Sequence, residues 1–282
     1  MDVIQAIILG LLQGLTEFLP ISSSGHLLIV PRLFGWTDPG SGFTAVIQIG
    51  TLVAVLIYFW KDLVNIIKTW GGSLFKPDLR AERDAKLGWG IFFGTIPVAV
   101  VGLLFEKEID TVLRSSYVVA ATLAGFGLLL GFADWKGKQE RTIDDFTVKD
   151  GILMGLWQCL ALVPGSSRSG STITGGLFAK FDRATAARVS FLLSVPSVAA
   201  SGLYKLAKER EVLLGAGLMP TVIATVVAFI SGYWAIAFLM KFLQTKNTTV
   251  FVIYRVALAV ILLALVFAGK IPVDPLTTPI TP

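Results

Sequence analysis

Pro20-Ile-Ser-Ser-Ser-Gly-His26 interrupts one apolar run, and Pro164-Gly-Ser-Ser-Arg-Ser-Gly-Ser-Thr172 interrupts a second in the other half of the chain. Aligning Pro20 on Pro164 lays Ser22 and Ser23 on Ser166 and Ser167, and Ser24 on Arg168. A hydrophobic segment that breaks at proline and continues into serine and glycine is out of place in a bilayer. Non-helical backbone is tolerated there only where protein buries it or where it lines a watery cavity. Two such breaks therefore predict a buried polar site built twice over.

The rest of the chain makes the membrane reading firm. With 54% hydrophobic and only 15% charged residues and a mean hydropathy of +0.75, the composition lies outside that of soluble domains. Crossing the hydrocarbon core takes about 20 apolar residues. Stretches of that length run over 42–60, 87–105, 117–135, 184–206, 218–240 and 249–269, predicting six spans. Val3 to Leu12 and Ile152 to Val163 are apolar but shorter, and each leads into a break. They read as descending arms of re-entrant hairpins. Asp2 stands where a signal peptide carries basic residues, so the first helix is expected to belong to the mature fold. Cys159 is the single cysteine, which excludes an intramolecular disulfide and a cysteine-based zinc site.

Each half repeats one order: short arm, break, three spans. An odd number of crossings per half inverts the second relative to the first, as in inverted-repeat transporters. The expectation is an all-α polytopic membrane protein forming one integral membrane domain, with repeats over 1–140 and 148–282. Gly10-Leu-Leu-Gln13 against Gly155-Leu-Trp-Gln158 is a weaker echo of the same duplication. Basic residues sort by face. The loops at 61–86, 136–149, 180–188 and 241–246 carry fifteen, whereas Arg32, Lys107, Arg114, Lys205, Lys208, Arg210 and Lys270 lie on the other side. The positive-inside rule makes the richer face cytoplasmic and puts both termini outside. This scatter explains the basic balance and argues against a nucleic-acid partner.

Chemistry concentrates at the breaks. Gln13 and Glu17 share one helix face just before the first break, and a carboxylate at membrane depth is a functional candidate by default. An ion pair with Arg168, structural or functional, would accommodate it. Two helix starts facing each other, with a guanidinium between them, suit a phosphate or diphosphate. His26 is the single histidine, placed to move a proton or to serve structure. A two-histidine metal centre is thereby excluded. Magnesium held through Glu17 and substrate phosphates is compatible, since that ion keeps most of its waters. Arg255, inside the last span with no acidic residue nearby in sequence, could contact a lipid phosphate or cap a neighbouring carbonyl, and the structural reading is favoured.

Gln13-Gly-Leu-Thr-Glu17 resembles the (E/Q)xxxE motif, and Pro164-Gly-Ser-Ser-Arg-Ser-Gly-Ser-Thr172 the PGxSRSxxT motif, of bacterial undecaprenyl-diphosphate phosphatases of the bacitracin-resistance (BacA/UppP) type. The likeness extends over essentially the whole chain. It implies hydrolysis of a C55 polyprenyl diphosphate in the bacterial plasma membrane, regenerating the lipid carrier for peptidoglycan synthesis, with Mg2+ or Ca2+ as cofactor. Membrane lipids are implied as surroundings, a homodimer is left open, and the site is implied to open to the outer face. Glu17 would be base or metal ligand, Ser23 the nucleophile, Arg168 the diphosphate clamp, and His26 a proton donor or alternative nucleophile. Gln13, Ser22, Ser24, Gly165, Ser166, Ser167, Ser169 and Thr172 would support the substrate. Gln13 cannot act as a second base.

Type-2 phosphatidic acid phosphatases also carry S-G-H and S-R strings, but need a histidine where this chain has Thr174. A transporter or flippase for a phosphorylated polyprenyl lipid remains the rival reading, because broken helices at mid-membrane also serve transport.

Overall fold

The computed structural model describes residues 1–38, 40–208 and 218–273. Among them the chain is helical, with one isolated β-bridge between Arg141 and Phe181. Twelve α-helices follow in order: α1 (Val3–Phe18), α2 (Ser23–Leu33), α3 (Gly40–Tyr58), α4 (Trp60–Phe75), α5 (Arg83–Leu104), α6 (Glu106–Asp110), α7 (Ser116–Lys136), α8 (Val148–Leu160), α9 (Arg168–Phe178), α10 (Arg183–Lys208), α11 (Leu218–Phe242) and α12 (Thr249–Phe267).

Five helices, α5, α7, α10, α11 and α12, are long and apolar enough to cross a membrane, and the count reaches six if α3 and α4 form one broken span. Five of the expected spans thus fall on single helices. The sixth differs, because α3 bends by 79° at Phe59 into α4, a region the sequence suggests is loop. Its polar residues, Lys61, Asp62, Asn65 and Lys68, conceal an amphipathic helix that buries Leu63 and Ile66 on one face. Arg210 and the last nine residues of the chain, which include its C-terminal end, lie outside the described residues.

The two short arms begin alike. Asp2 caps α1 and Thr147 caps α8, each accepting from the third helical N–H while that residue's side chain accepts from the cap's backbone. Each arm then packs on a helix of the other half, α1 against α11 and α8 against α5. Glycine makes these contacts close. A Cβ on Gly10 or Gly14 would overlap the α11 backbone at Ala224 or Ala228, and one on Gly155 would overlap Gly94. Where lipid is as apolar as leucine, such backbone approach is the main source of helix association.

Ion pairs respect the two faces inferred from charge. Arg83 pairs with Asp144 at 3.0 Å, Arg188 with Asp62, and Arg141 with Asp150 at 2.7 Å, all on the richer face. On the other, Arg114 reaches Asp38 at 2.9 Å, while Lys208 and Lys205 meet Glu106 at 2.9 and 3.0 Å. Hydrogen bonds from Lys208 and Lys205 lower the Glu106 pKa to about 2, so this tie persists until pH falls through that value.

The glycine contacts carry a prediction. Gly50 of α3 faces the Thr225 carbonyl of α11 with no room for a Cβ, whereas Gly125 of α7 has nothing within 4 Å. Gly50→Leu is expected to destabilise the protein by about 1–3 kcal/mol through overpacking, and Gly125→Ala to leave it unchanged. Melting temperatures in detergent check both.

Candidate active site

The two breaks share a backbone conformation that a proline alignment misses. Ser22 and Ser167 both adopt left-handed backbone, φ 75° and 70°, immediately before α2 and α9. Each hydroxyl accepts from the glycine N–H three residues on, Gly25 at 3.3 Å and Gly170 at 3.1 Å. Each also lies 3.2 Å from the hydroxyl two residues on, Ser24 or Ser169. Ser22-Ser23-Ser24-Gly25 therefore corresponds to Ser167-Arg168-Ser169-Gly170, one residue later than aligning the prolines suggests. Ser23 falls on Arg168, not Ser167. The extra residue sits between Pro164 and the cap, where Gly165 turns the chain at φ 91°.

This register places Ser23 and Arg168 at the first positions of α2 and α9, and both converge on Glu17. Glu17 occupies the last turn of α1 with its side chain 3% exposed. Its Oε2 accepts from Ser23 Oγ at 2.6 Å and from Gln13 Nε2 at 2.7 Å, and its Oε1 accepts from Arg168 Nη2 at 2.6 Å. The anticipated ion pair thus joins a carboxylate, a hydroxyl and a guanidinium in one set. Arg168 also donates to the Ser194 carbonyl at 3.3 Å. Ser23, Ser24 and Arg168 are only partly buried, so the set has an open side. A cleft lined by Ser24, Leu27, Leu28, Thr44, Arg114 and Pro164 lies beside it.

The remaining residues singled out from sequence brace the two breaks. Ser24 Oγ accepts from Gly165 N at 3.2 Å, and Ser169 Oγ donates to the Leu19 carbonyl at 3.1 Å, so each break ties to the other. Thr172 Oγ1 donates to the Arg168 carbonyl at 2.8 Å and contacts Ser190 Oγ at 2.5 Å. Ser166 is fully buried, and its hydroxyl has no partner. His26 stands apart from the Glu17 set. Its Nδ1 lies 2.7 Å from the Ser22 carbonyl and its Nε2 2.5 Å from Tyr254 Oη. A carbonyl can only accept, so Nδ1 carries the proton and Tyr254 donates to Nε2. Tyr254, Thr122, Ser190 and Ser194 were not singled out from the sequence. Tyr254 adjoins Arg255, the one anomaly of the last span, and that was the available signal.

Among the described residues no three His, Cys, Asp or Glu side chains form a metal cluster. Gln13 Oε1, fully buried beside Glu17, has no hydrogen-bond partner. A carboxylate and an orphan amide carbonyl are the oxygen donors a hard divalent ion takes, with phosphate oxygens and water completing its shell. The residues present fit Mg2+ or Ca2+.

The protein-family model described as "Bacitracin resistance protein BacA" matches residues 6–261. A protein of Thermobifida fusca named undecaprenyl-diphosphatase is 52% identical over 95% of this chain and 92% of its own length. Relatives of the same name from Prosthecochloris aestuarii and Chloroherpeton thalassium are 50% and 49% identical, each over 96% of this chain and 99% of their own.

The Glu17–Arg168 pair predicts a double-mutant signature. Arg168→Met leaves a buried carboxylate without its countercharge and is expected to destabilise by on the order of 3 kcal/mol. Glu17→Gln combined with Arg168→Met should recover much of that loss. Thermal unfolding of Arg168→Met, Glu17→Gln and the double variant in detergent checks the coupling.

Proposed function

The chain belongs to the bacitracin resistance protein BacA family, and from that premise we propose that it is a membrane phosphatase converting undecaprenyl diphosphate to undecaprenyl phosphate and inorganic phosphate. One observation carries the chemistry: a carboxylate, Glu17, is hydrogen-bonded at once to a serine hydroxyl and to a guanidinium. A base within hydrogen-bond reach of a hydroxyl is the arrangement that activates serine.

In this reading the diphosphate enters at the partly open Ser23–Arg168 edge. Arg168 turns from Glu17 to the terminal phosphate, which leaves the carboxylate to accept the Ser23 proton. Ser23 Oγ then bonds to the terminal phosphorus as the bridging P–O bond breaks, and undecaprenyl phosphate departs as a stable anion. Glu17, having shed its first proton to solvent, takes a proton from water as that water bonds to the phosphoserine phosphorus, and returns it to the departing Ser23 Oγ as the Ser–O–P bond breaks and inorganic phosphate is released. Arg168 and the N–H groups opening α2 and α9 bear the charge that develops on the equatorial oxygens. Where Glu17 serves as metal ligand instead of base, it and Gln13 Oε1 would hold a divalent ion, which supplies Lewis-acid stabilisation of the phosphate oxygens.

We read the architecture as an inverted repeat over 1–140 and 148–282, its arms and breaks forming re-entrant hairpins from opposite faces. The like-capped arms, the matching left-handed serines and the docking of each arm on the other half support this. On the charge asymmetry both termini lie outside and the site opens outward. The cleft running from Ser24 to Arg114, on the basic-poor face, supports that opening.

Purified protein in detergent has no compartments, so phosphate released from undecaprenyl diphosphate there reports hydrolysis rather than transport. Release is expected when Mg2+ or Ca2+ is supplied, and its absence overturns the phosphatase reading. Glu17→Gln and Ser23→Ala should each lower kcat by about 10^2–10^4-fold. Near-normal turnover of Ser23→Ala would assign the attack to water with Glu17 as its base.

A further inference from the structure

Arg255 is the largest fully buried side chain among the described residues, and it faces no carboxylate. Its five contacts are all backbone carbonyls. Nε donates to Leu123 O at 3.0 Å, and Nη2 to Thr122 O, Gly165 O and Ser166 O at 3.1, 3.0 and 2.9 Å. Nη1 reaches Pro20 O at 3.4 Å. Burying a guanidinium is costly unless its donors are satisfied. A cation whose partners are carbonyls from both breaks and from α7 is hard to explain as packing alone.

Those carbonyls stand at informative places. Pro20 lies two residues before the Ser22 cap, and Gly165 and Ser166 lead directly into the Ser167 cap. All three are turn carbonyls that no helix satisfies, and the single planar fork bridges one break to the other. The fit is tight on both sides: a Cβ on Gly170 would come within 2.7 Å of Nη1, and one on Gly127 within 3.1 Å of Arg255 Cβ. One guanidinium thus joins carbonyls of both breaks, beside the Ser24–Gly165 and Ser169–Leu19 hydrogen bonds that also span them. The spacing of the breaks decides whether Ser23 on one and Arg168 on the other meet at Glu17.

We propose that Arg255 is a positioning residue for the phosphatase reaction, holding the two breaks at the separation that brings Ser23, Glu17 and Arg168 together. It contacts none of the three side chains. This rests on the phosphatase reading above. Tyr254 contributes from the same turn of α12, since its hydroxyl on His26 fixes the imidazole whose Nδ1–H holds the Ser22 carbonyl. The last helix thus grips both breaks with adjacent residues.

Lysine keeps the charge but not the planar fork. Arg255→Lys is expected to lower kcat about a hundredfold, in line with the cost of a small misplacement of reacting groups, while KM stays near the wild-type value. The three atoms nearest a Cβ on Gly127 all belong to Arg255, so Gly127→Val presses on the guanidinium while leaving it and both breaks intact in sequence. It should lower kcat about tenfold by the same mechanism. In Arg255→Gly, added guanidinium should restore turnover and added ammonium should not. All variants are assayed as phosphate release from undecaprenyl diphosphate in detergent, beside the wild type.

A rise in KM with kcat unchanged would show Arg255 touching substrate and overturn positioning, as would wild-type kcat in both Arg255→Lys and Gly127→Val. Should Arg255→Lys fail to fold, Gly127→Val decides, and normal kcat there overturns the proposal. No release even from the wild type overturns the phosphatase reading and this inference with it, whereas an active wild type with unaffected variants overturns this inference alone.

Discussion

Everything at the centre of this molecule depends on giving one buried carboxyl group, Glu17, partners on both oxygens where lipid would otherwise surround it. Burying a polar group without hydrogen bonds is costly, so both of its oxygens need donors. Gln13, Ser23 and Arg168 supply them from α1, α2 and α9. Gln13 lies on α1 itself, but Ser23 could not arrive if the chain continued helically after α1. The break at Pro20 lets α2 fold back with Ser23 at its first position, and the second break brings Arg168 from the other half. The carboxylate thus explains the breaks, and the breaks explain the glycine-lined docking of α1 and α8.

The two breaks differ where chemistry needs difference. Ser22 and Ser167 keep one backbone conformation and one pair of hydrogen bonds, so the scaffold at the two helix starts is shared. At the next position one copy carries a hydroxyl and the other a guanidinium. Two hydroxyls would leave a phosphate's charge unanswered, and two guanidinium groups would offer no nucleophile. The arms show the same asymmetry: Gln13 leads to Glu17, while Gln158 in the second arm leads to apolar Leu162. One carboxylate then serves both helix starts.

Much of this was legible in the sequence, because membrane constraints write themselves into composition. Spans show as apolar runs, and the polar breaks as violations of them. Glu17, Ser23 and Arg168 were visible as polar residues that a bilayer does not tolerate without purpose. The one-residue register was not, since Pro20 and Pro164 make a more conspicuous anchor than the conformation of Ser22 and Ser167. Gly165, the inserted turn residue, accounts for the slip. Helix α4 was hidden by charges that its amphipathic face puts at the surface. The His26–Tyr254 contact and the acceptors of Arg255 join positions far apart in the chain, and no local pattern encodes them.

A polar break in a membrane cannot stand alone, and this gives the pairing of the two breaks a physical logic. Each break exposes carbonyls and N–H groups that no helix satisfies. Here the donors and acceptors come largely from across the structure: Ser24 takes the Gly165 N–H, Ser169 the Leu19 carbonyl, Thr122 the Pro164 carbonyl, and Arg255 the carbonyls of Pro20, Gly165 and Ser166. Each break is part of the other's solvent. A half-molecule would leave its turn unsatisfied in hydrocarbon, at a cost of several kcal/mol per group, so the site and the pairing of the two halves are one energetic unit.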